Sequence, residues 1–230
     1  SNEQLKLSSD IVGAVREAVG DNVDLLIECH GRFNHTTALI ISRELEQYHP
    51  MFLEEPCVPD NMDSTAYVRA HSNIPVAAGE RGYGIYAFQE ILEKNCVDYL
   101  QPDIFHAGGI MMGKKIAGMA EAKHIPISFH NPSGPVANAA TLQIAACVPN
   151  FVMLEMMMTD VPYRADICDE KLTLKNGAMV IPDRPGLGIE LNEKELLKYP
   201  YIRTELRHYR GDLTNIRPPD AVKYYELICD

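Results

Sequence analysis

The sequence contains no block of lysine and arginine, and its acidic residues outnumber the basic ones by 32 to 21, for a formal net charge of −11. Nucleic acids and anionic lipids are bound by basic patches, so neither partner is expected. No stretch reaches the roughly 18 uninterrupted apolar residues of a membrane span, and residues 1–4 do not resemble a signal peptide. With 46% hydrophobic and 23% charged residues in 230, the composition favours a globular, cytoplasmic protein.

The six cysteines lie far apart along the chain and include no Cys-x-x-Cys pair. A chain with this much apolar composition can build a core without disulfide bonds, so we expect reduced thiols. The residues concerned are Cys29, Cys57, Cys96, Cys147, Cys168 and Cys229.

Short apolar runs alternate with stretches of helical periodicity over the first two thirds of the chain. The runs predicted as strands are 24–28, 51–54, 76–79, 97–101, 126–130 and 151–155. The predicted helices are 9–19, 36–47, 63–71, 87–95, 112–123 and 136–147. In the first helix, Ser9 and Asp10 are candidate N-caps and Gly20 is a candidate stop. Because strands that are apolar on both faces need helices on both sides, the alternation predicts a parallel α/β sheet.

The repeat of about 25 residues per unit favours a barrel over a doubly wound sheet. A TIM-type barrel collects its functional groups from the ends of many strands, and five of the six runs end in, or are closely followed by, an ionisable side chain. A doubly wound sheet binds at one switch point, often through a glycine-rich turn after the first strand. The turn 29–32 is not of that kind. We therefore predict a barrel of which six of the eight strands are visible.

The pattern changes near residue 159, where turn-rich pieces replace the regular units. We assign residues 1–158 to barrel βα units, and residues 159–230 to a C-terminal segment that completes the barrel domain and packs toward a cap or a neighbouring subunit. Within it, Asn176-Gly177 between alternating apolar residues predicts a type I′ hairpin. The segment is rich in tyrosine, at Tyr199, Tyr201, Tyr209, Tyr224 and Tyr225.

Three glutamates lie at the ends of successive predicted strands at equal intervals of 26 residues: Glu28, Glu54 and Glu80. Parallel strands bring such residues to one end of the barrel, where three carboxylates would repel one another unless a cation held them together. Oxygen ligands of this kind suit Mg²⁺. The alternative is that the carboxylates are solvated or cap the next helices. Glu55 follows Glu54 directly and, by strand alternation, points the opposite way.

The next two units contribute Asp103 and His130. An aspartate on the strand beside the histidine can accept the imidazole Nδ1–H and fix the tautomer of a general base; a histidine of the core is the alternative. His30 lies two residues after Glu28 and so faces the same end of the barrel, unless it is only a turn residue. Arg32, in the same turn, is a candidate for binding a substrate hydroxyl or carboxylate, or else a surface ion pair.

Two further candidates lie on later units. Glu155 ends the last predicted strand and could exchange a hydrogen bond with a reacting substrate. His106, in Phe105-His106-Ala107-Gly108-Gly109, is ambiguous between a substrate-binding residue and a structural one.

This ordered set of residues resembles the mandelate racemase branch of the enolase superfamily. The motifs that carry the resemblance include Gln101-Pro102-Asp103, Ala78-Gly79-Glu80-Arg81 and His130-Asn131-Pro132-Ser133-Gly134-Pro135. Within that branch, Glu28-Cys29-His30-Gly31-Arg32 is similar to the D-x-H-G-R turn of sugar-acid dehydratases. The family commonly has aspartate where this sequence has Glu28.

The resemblance implies the C-terminal (β/α)7β barrel domain of that superfamily, with the first strands and the α+β capping domain absent from this chain. It implies Mg²⁺ on Glu28, Glu54 and Glu80, a sugar acid as substrate and a homo-oligomer. His130, oriented by Asp103, would remove the C2 proton. Glu155 would hydrogen-bond the resulting enediolate, and His30 would protonate the departing 3-hydroxyl to leave a 2-keto-3-deoxy acid.

Two alternatives stay open at this point. A racemase or epimerase of the same superfamily would exchange the C2 proton without eliminating a hydroxyl. A truncated, non-catalytic barrel would use the tyrosine-rich segment for contacts and would have no use for His30.

Overall fold

The structure, a computed structural model, describes residues 1–157, 159–160, 162–168, 173–202, 222–223 and 226–228. These described residues form two compact units, the first made of Ser1–His130 and Val148–Met153 and the second of Asn131–Cys147 and the described residues from Leu154 onward. The strands are β1 (Leu26–Glu28), β2 (Phe52–Glu54), β3 (Val76–Ala78), β4 (Tyr99–Leu100), β5 (Ile127–Phe129), β6 (Phe151–Leu154), β7 (Thr159–Asp160), β8 (Thr173–Lys175), β9 (Ala178–Met179), β10 (Val222–Lys223) and β11 (Glu226–Ile228). The α-helices are α1 (Asn2–Val19), α2 (His35–Leu45), α3 (Met62–His71), α4 (Gly84–Glu93), α5 (Ile104–Ala107), α6 (Ile110–Glu121), α7 (Pro135–Ala145) and α8 (Glu193–Leu196).

Strands β1 to β6 form one sheet in which the spatial order of the strands equals their order in the chain. Neighbours from β1 to β5 are parallel, and each is joined to the next by a chain segment that contains a helix. A doubly wound sheet would reverse its strand order at a switch point. The uninterrupted order is that of successive TIM-barrel units, so the predicted barrel class is confirmed with six of its strands.

Apolar side chains fill both sides of the central strands. Phe52, Leu53 and Val76 are fully buried, as are Ile127 and Phe129. Burial on both faces explains why these strands read as continuous apolar runs rather than as alternating ones.

Side-chain caps set several helix starts. The Asn34 side chain accepts the Thr37 N–H at 2.8 Å and begins α2. The prediction that Ser9 or Asp10 begins the first helix is wrong. Ser1 and Gln4 form a capping box, with the backbone N–H of Gln4 donating to the Ser1 hydroxyl and the Gln4 side chain accepting from the Ser1 backbone, so the helix begins seven residues earlier. The predicted stop at Gly20 is confirmed, with φ of 73°.

In the second unit, the predicted hairpin at Asn176-Gly177 is confirmed. Strands β8 and β9 pair antiparallel, and both turn residues have positive φ, 49° and 78°, as a type I′ turn requires. Tyr199 stacks on Tyr163 with ring centroids 3.9 Å apart. Tyr209, Tyr224 and Tyr225 lie outside the described residues, and the predicted boundary at residues 158 and 159 stays a prediction.

The cysteines agree with the expectation of reduced thiols as far as they are described. Cys29, Cys57, Cys96, Cys147 and Cys168 are free, and Cys229 lies outside the described residues. Within the described part of the chain, no helix combines the length and the hydrophobicity needed to cross a bilayer.

Candidate active site at the carboxyl ends of the strands

The three predicted carboxylates meet at the carboxyl ends of the first three strands. Glu28 and Glu54 are the last residues of β1 and β2 and are register partners, while Glu80 follows β3 by two residues. One carboxylate oxygen from each lies within 4.8 Å of those of the other two. The structure thus brings together the residues that the 26-residue spacing singled out.

The electrostatics of this acidic cluster, Glu28, Glu54 and Glu80, suit a cation. Desolvation and the charge of Glu54 raise the pKa of Glu28 to about 9, although the His30 backbone N–H opposes the shift. Burial acts in the same direction on Glu80, but the hydrogen bond and charge of His130 and the charge of Arg81 outweigh it and hold that pKa below its ordinary value. A divalent cation would let all three carboxylates ionise together, and the donor set of three hard oxygens fits Mg²⁺.

Asp103 and His130 form the expected pair. His130 follows β5, and its Nδ1 lies 2.9 Å from Oδ2 of Asp103, whose Oδ1 accepts the Phe105 N–H at 2.7 Å and caps the short helix α5. Burial raises the pKa of Asp103, but these hydrogen bonds more than offset it, so the net shift is downward. The carboxylate is therefore held in its ionised form beside the imidazole.

The other nitrogen of His130 faces the acidic cluster. Nε2 lies 3.1 Å from Oε2 of Glu80. Two carboxylate acceptors on the two ring nitrogens are satisfied together only by an imidazolium, in which both nitrogens donate. The His130 side chain, 15% exposed, thus links Asp103 to the cluster.

His30 lies at the other end of the cluster. It has a positive φ of 50°, and its backbone N–H donates to the Glu28 carboxylate. Its ring atom Nε2 lies 3.9 Å from Oε2 of Glu28. Arg32 follows in the same turn, is exposed, and donates its backbone N–H to the Cys29 carbonyl at 3.2 Å.

His106 lies in α5 and contacts the backbone of a cluster residue. Its Nδ1 lies 2.7 Å from the carbonyl oxygen of Glu80. The ring stacks on Tyr83, with centroids 5.1 Å apart and planes at 26°. Tyr83 was not predicted as a site residue, because a lone tyrosine in a loop has no periodic signal.

Glu155 belongs to the second compact unit, where it follows β6. Its Oε2 accepts the Asn131 backbone N–H at 3.0 Å, and its carbonyl oxygen accepts from the Asn131 side chain at 3.2 Å. Asn131 also donates to Asn138 at 2.8 Å. The Glu155 carboxylate is thereby anchored to the residue that follows His130.

Sequence reasoning missed an ion pair beside the cluster. Glu55 is only 3% exposed, and Nε of Arg81 lies 3.1 Å from its Oε2 and 3.2 Å from Oε1 of Glu80. Burial and the charge of Glu80 raise the pKa of Glu55 to about 7, against the opposing charge of Arg81. The signal in the sequence was the charged pair Glu80-Arg81 directly after a strand.

Comparisons with known proteins agree with this geometry. Residues 2–195 match the family described as enolase C-terminal domain-like. Over 83% of its own length, the chain is 36% identical to D-xylonate dehydratase of Haloferax volcanii. Over 87% of its own length, it is 35% identical to D-gluconate/D-galactonate dehydratase of Picrophilus torridus. These alignments cover 46% and 51% of the two relatives, so the chain spans about half the length of the curated relatives it matches.

Solved structures give the same picture. The crystal structure of a mandelate racemase/muconate lactonizing enzyme from Jannaschia sp. CCS1 superposes with a TM-score of 0.83 at 35% identity, covering 89% of this chain and 52% of that one.

Proposed function

The chain belongs to the enolase C-terminal domain-like family, and on that basis we propose that it carries the catalytic residues of a Mg²⁺-dependent sugar-acid dehydratase. The reaction would remove the C2 proton of an aldonate and expel its 3-hydroxyl as water. The curated relatives are named for D-xylonate, D-gluconate and D-galactonate, and we propose an acid of this class as substrate. A cytoplasmic location belongs to the same proposal, and a homo-oligomeric state stays a prediction.

One observation carries the proposal: a histidine stands at each end of the acidic cluster. His130 contacts Glu80, and His30 contacts Glu28. Elimination of water needs a base for one proton and an acid for the departing hydroxyl. Two imidazoles flanking one carboxylate cluster supply both roles.

Glu28, Glu54 and Glu80 would hold Mg²⁺, which when bound supplies positive charge to stabilise the negative charge that develops on a substrate carboxylate. Glu54 and Glu80 are buried, so their carboxylates would act in surroundings of low water content. The fit of three oxygen donors within 4.8 Å of one another supports this assignment.

His130 would be the base. The Asp103 carboxylate accepts the Nδ1–H and so leaves Nε2 to take the C2 proton. In the imidazolium Nε2 donates to Glu80, one of the proposed metal ligands, so Nε2 must first lose this proton before it can act as the base. The electron pair of the C2–H bond first moves onto the substrate carboxylate, and it forms the C2=C3 double bond when the C3–O bond then breaks.

His30 would be the acid. Donation of its ring proton to the departing oxygen releases water, and the remaining enol tautomerises to a 2-keto-3-deoxy acid. Glu155 is proposed to hydrogen-bond the reacting carboxylate, and Arg32 and His106 to bind substrate oxygens. Because the Glu80 carbonyl can only accept, Nδ1 of His106 donates to it, which leaves Nε2 to face a substrate oxygen.

The test is a substrate panel on the intact protein with Mg²⁺. D-galactonate, D-gluconate, D-xylonate and several aldaric acids are incubated, and 2-keto acids are detected with semicarbazide. We expect at least one aldonate to give a product, and EDTA to abolish it. Absence of product from every acid, while Mg²⁺ still binds, would contradict dehydration of these substrates.

A further inference from the structure

We propose that the buried ion pair Glu55–Arg81 positions both Glu80 and the turn that carries His30. Glu55 and Arg81 would thus be positioning residues for the acidic cluster rather than members of it. The inference rests on the proposed function, since it concerns residues assigned there to Mg²⁺ and to proton transfer.

Two side chains hold the carboxylate of Glu80. Arg81 Nε lies 3.2 Å from Oε1 of Glu80, and His130 Nε2 lies 3.1 Å from Oε2. Each oxygen of this carboxylate therefore has its own nitrogen neighbour. Because Arg81 Nε also lies 3.1 Å from Oε2 of Glu55, the position of the guanidinium depends on Glu55.

Backbone hydrogen bonds on both sides hold Glu55 in place. Glu55 directly follows β2 and has a φ of 41°, a conformation that residues other than glycine rarely adopt. Its N–H donates to the Ala77 carbonyl at 2.9 Å, and its own carbonyl accepts the Gly31 N–H at 2.7 Å. The backbone of Glu55 thus joins β3 to the residue directly after His30.

The guanidinium of Arg81 also comes close to the turn that carries His30. A Cβ added at Gly31 would lie 3.2 Å from Nη1 of Arg81 and 3.2 Å from the Cys57 carbonyl oxygen. Nε of Arg81 therefore lies between the carboxylates of Glu55 and Glu80, while Nη1 of the same guanidinium faces Gly31. The Glu55–Arg81 pair connects the Glu80 end of the cluster to the His30 end.

The chemistry of the pair explains why these residue types are needed. A buried carboxylate without a cationic partner is strongly disfavoured, so Glu55 at 3% exposure requires Arg81. The planar guanidinium has several donors in fixed directions and can face two carboxylates and a backbone at once, whereas a lysine ammonium is a point charge on a flexible stem. Residues that orient metal ligands in this way commonly change metal affinity by roughly 10- to 100-fold when replaced.

The experiment measures Mg²⁺ affinity by calorimetry on the intact protein and on Arg81→Gln, Glu55→Gln and the double variant. Loss of a cation near the site would, by charge alone, tighten Mg²⁺ binding. Positioning predicts the opposite for Arg81→Gln, a weakening of roughly 10- to 100-fold. We expect Glu55→Gln to weaken binding as well, and the charge-balanced double variant not to recover it, because the two residues act as a unit.

Arg81→Lys and Arg69→Gln complete the set. Arg81→Lys keeps the charge and favours folding, and we expect an intermediate loss of Mg²⁺ affinity. Arg69 of α3 makes an ion pair with Asp98 at 2.9 Å, so Arg69→Gln makes the same chemical change away from the cluster and should leave Mg²⁺ affinity as it is. Far-UV circular dichroism checks that each variant is folded.

The outcomes separate this inference from the proposed function. If the unsubstituted protein binds Mg²⁺ and makes keto acid while Arg81→Gln or Arg81→Lys binds Mg²⁺ as tightly or more tightly, the positioning role is overturned and the proposed function stands. If the unsubstituted protein does not bind Mg²⁺, both are overturned.

Discussion

Nδ1 of His130 lies 2.9 Å from Oδ2 of Asp103, across the ends of the neighbouring strands β4 and β5. The second oxygen of Asp103 is occupied by the Phe105 N–H, so the carboxylate cannot rotate away from the imidazole without losing a bond. This arrangement fixes the proton on Nδ1, so Nε2 is the nitrogen that can lose its proton and then serve as the base.

Replacement of Asp103 by asparagine should remove the carboxylate that holds the proton on Nδ1 of His130. We expect Asp103→Asn to lower kcat by roughly 10²- to 10⁴-fold, the usual size of a general-base contribution, while KM changes little. Steady-state kinetics with the responsive acid measure both values. A kcat within about threefold of the unsubstituted enzyme would mean that His130 does not depend on Asp103.

His30→Asn should separate the two halves of the reaction. Without an acid for the hydroxyl, we expect no keto acid, but continued exchange of the C2 proton with solvent deuterium through His130. The matched control is His124→Asn, because His124 is exposed and has a similar positive φ of 57° against 50° for His30, and asparagine tolerates this conformation. Undiminished dehydration by His30→Asn would exclude the proposed acid.

The stability of the metal-free protein should fall as pH rises. The folded-state pKa of Glu28 is about 9 against an ordinary 4.5, so between these values the folded state binds a proton that the unfolded state does not, and stability decreases with pH. Thermal unfolding in EDTA between pH 5 and 9 measures the effect.

Saturating Mg²⁺ should reduce the decrease of stability with rising pH. The cation binds the ionised carboxylates of the folded state and stabilises that state by mass action. A matched series with Glu28→Gln, which has no group to titrate at this position, should also show a smaller decrease in Tm. An identical pH dependence in EDTA, in Mg²⁺ and in Glu28→Gln would contradict the electrostatic account of the cluster.

Gly79 should resist substitution more than Gly177, although both have positive φ. Its φ is 138°, and an added Cβ would lie 3.1 Å from backbone atoms of Gln101, so Gly79→Ala combines strain of about 1–3 kcal/mol with a contact that only backbone movement can relieve. Gly177→Ala is the control, since Gly177 has φ of 78° and no neighbour within 4 Å. Urea unfolding should show the larger loss for Gly79→Ala, and equal losses would contradict the close approach.

Periodicity predicted the sheet and the acidic cluster. The strand runs were apolar on both faces, and a constant interval of 26 residues placed Glu28, Glu54 and Glu80 at the same point of successive units. The pairing of Asp103 with His130 followed from their being on adjacent strands. Each of these inferences needed only the geometry of a repeating βα unit.

Features that depend on local backbone conformation were not predicted. Alternation predicts that Glu55 points away from Glu54. Alternation holds for extended backbone, however, and it could not show that a φ of 41° and a buried Arg81 would hold Glu55 beside the cluster. The four-residue helix α5, which brings His106 to the Glu80 carbonyl, is too short to leave a periodic pattern. The early start of α1 depended on a capping box at the first four residues.

The most direct test of the account is a proton NMR time course of the intact protein with Mg²⁺ and the responsive aldonate in D₂O. The account predicts loss of the C2 proton signal together with the appearance of a 2-keto-3-deoxy acid that carries one deuterium at C3, because the enol is protonated by solvent there. Exchange of the C2 proton for deuterium, with the 3-hydroxyl retained and no keto acid formed, would contradict dehydration and indicate a racemase or epimerase.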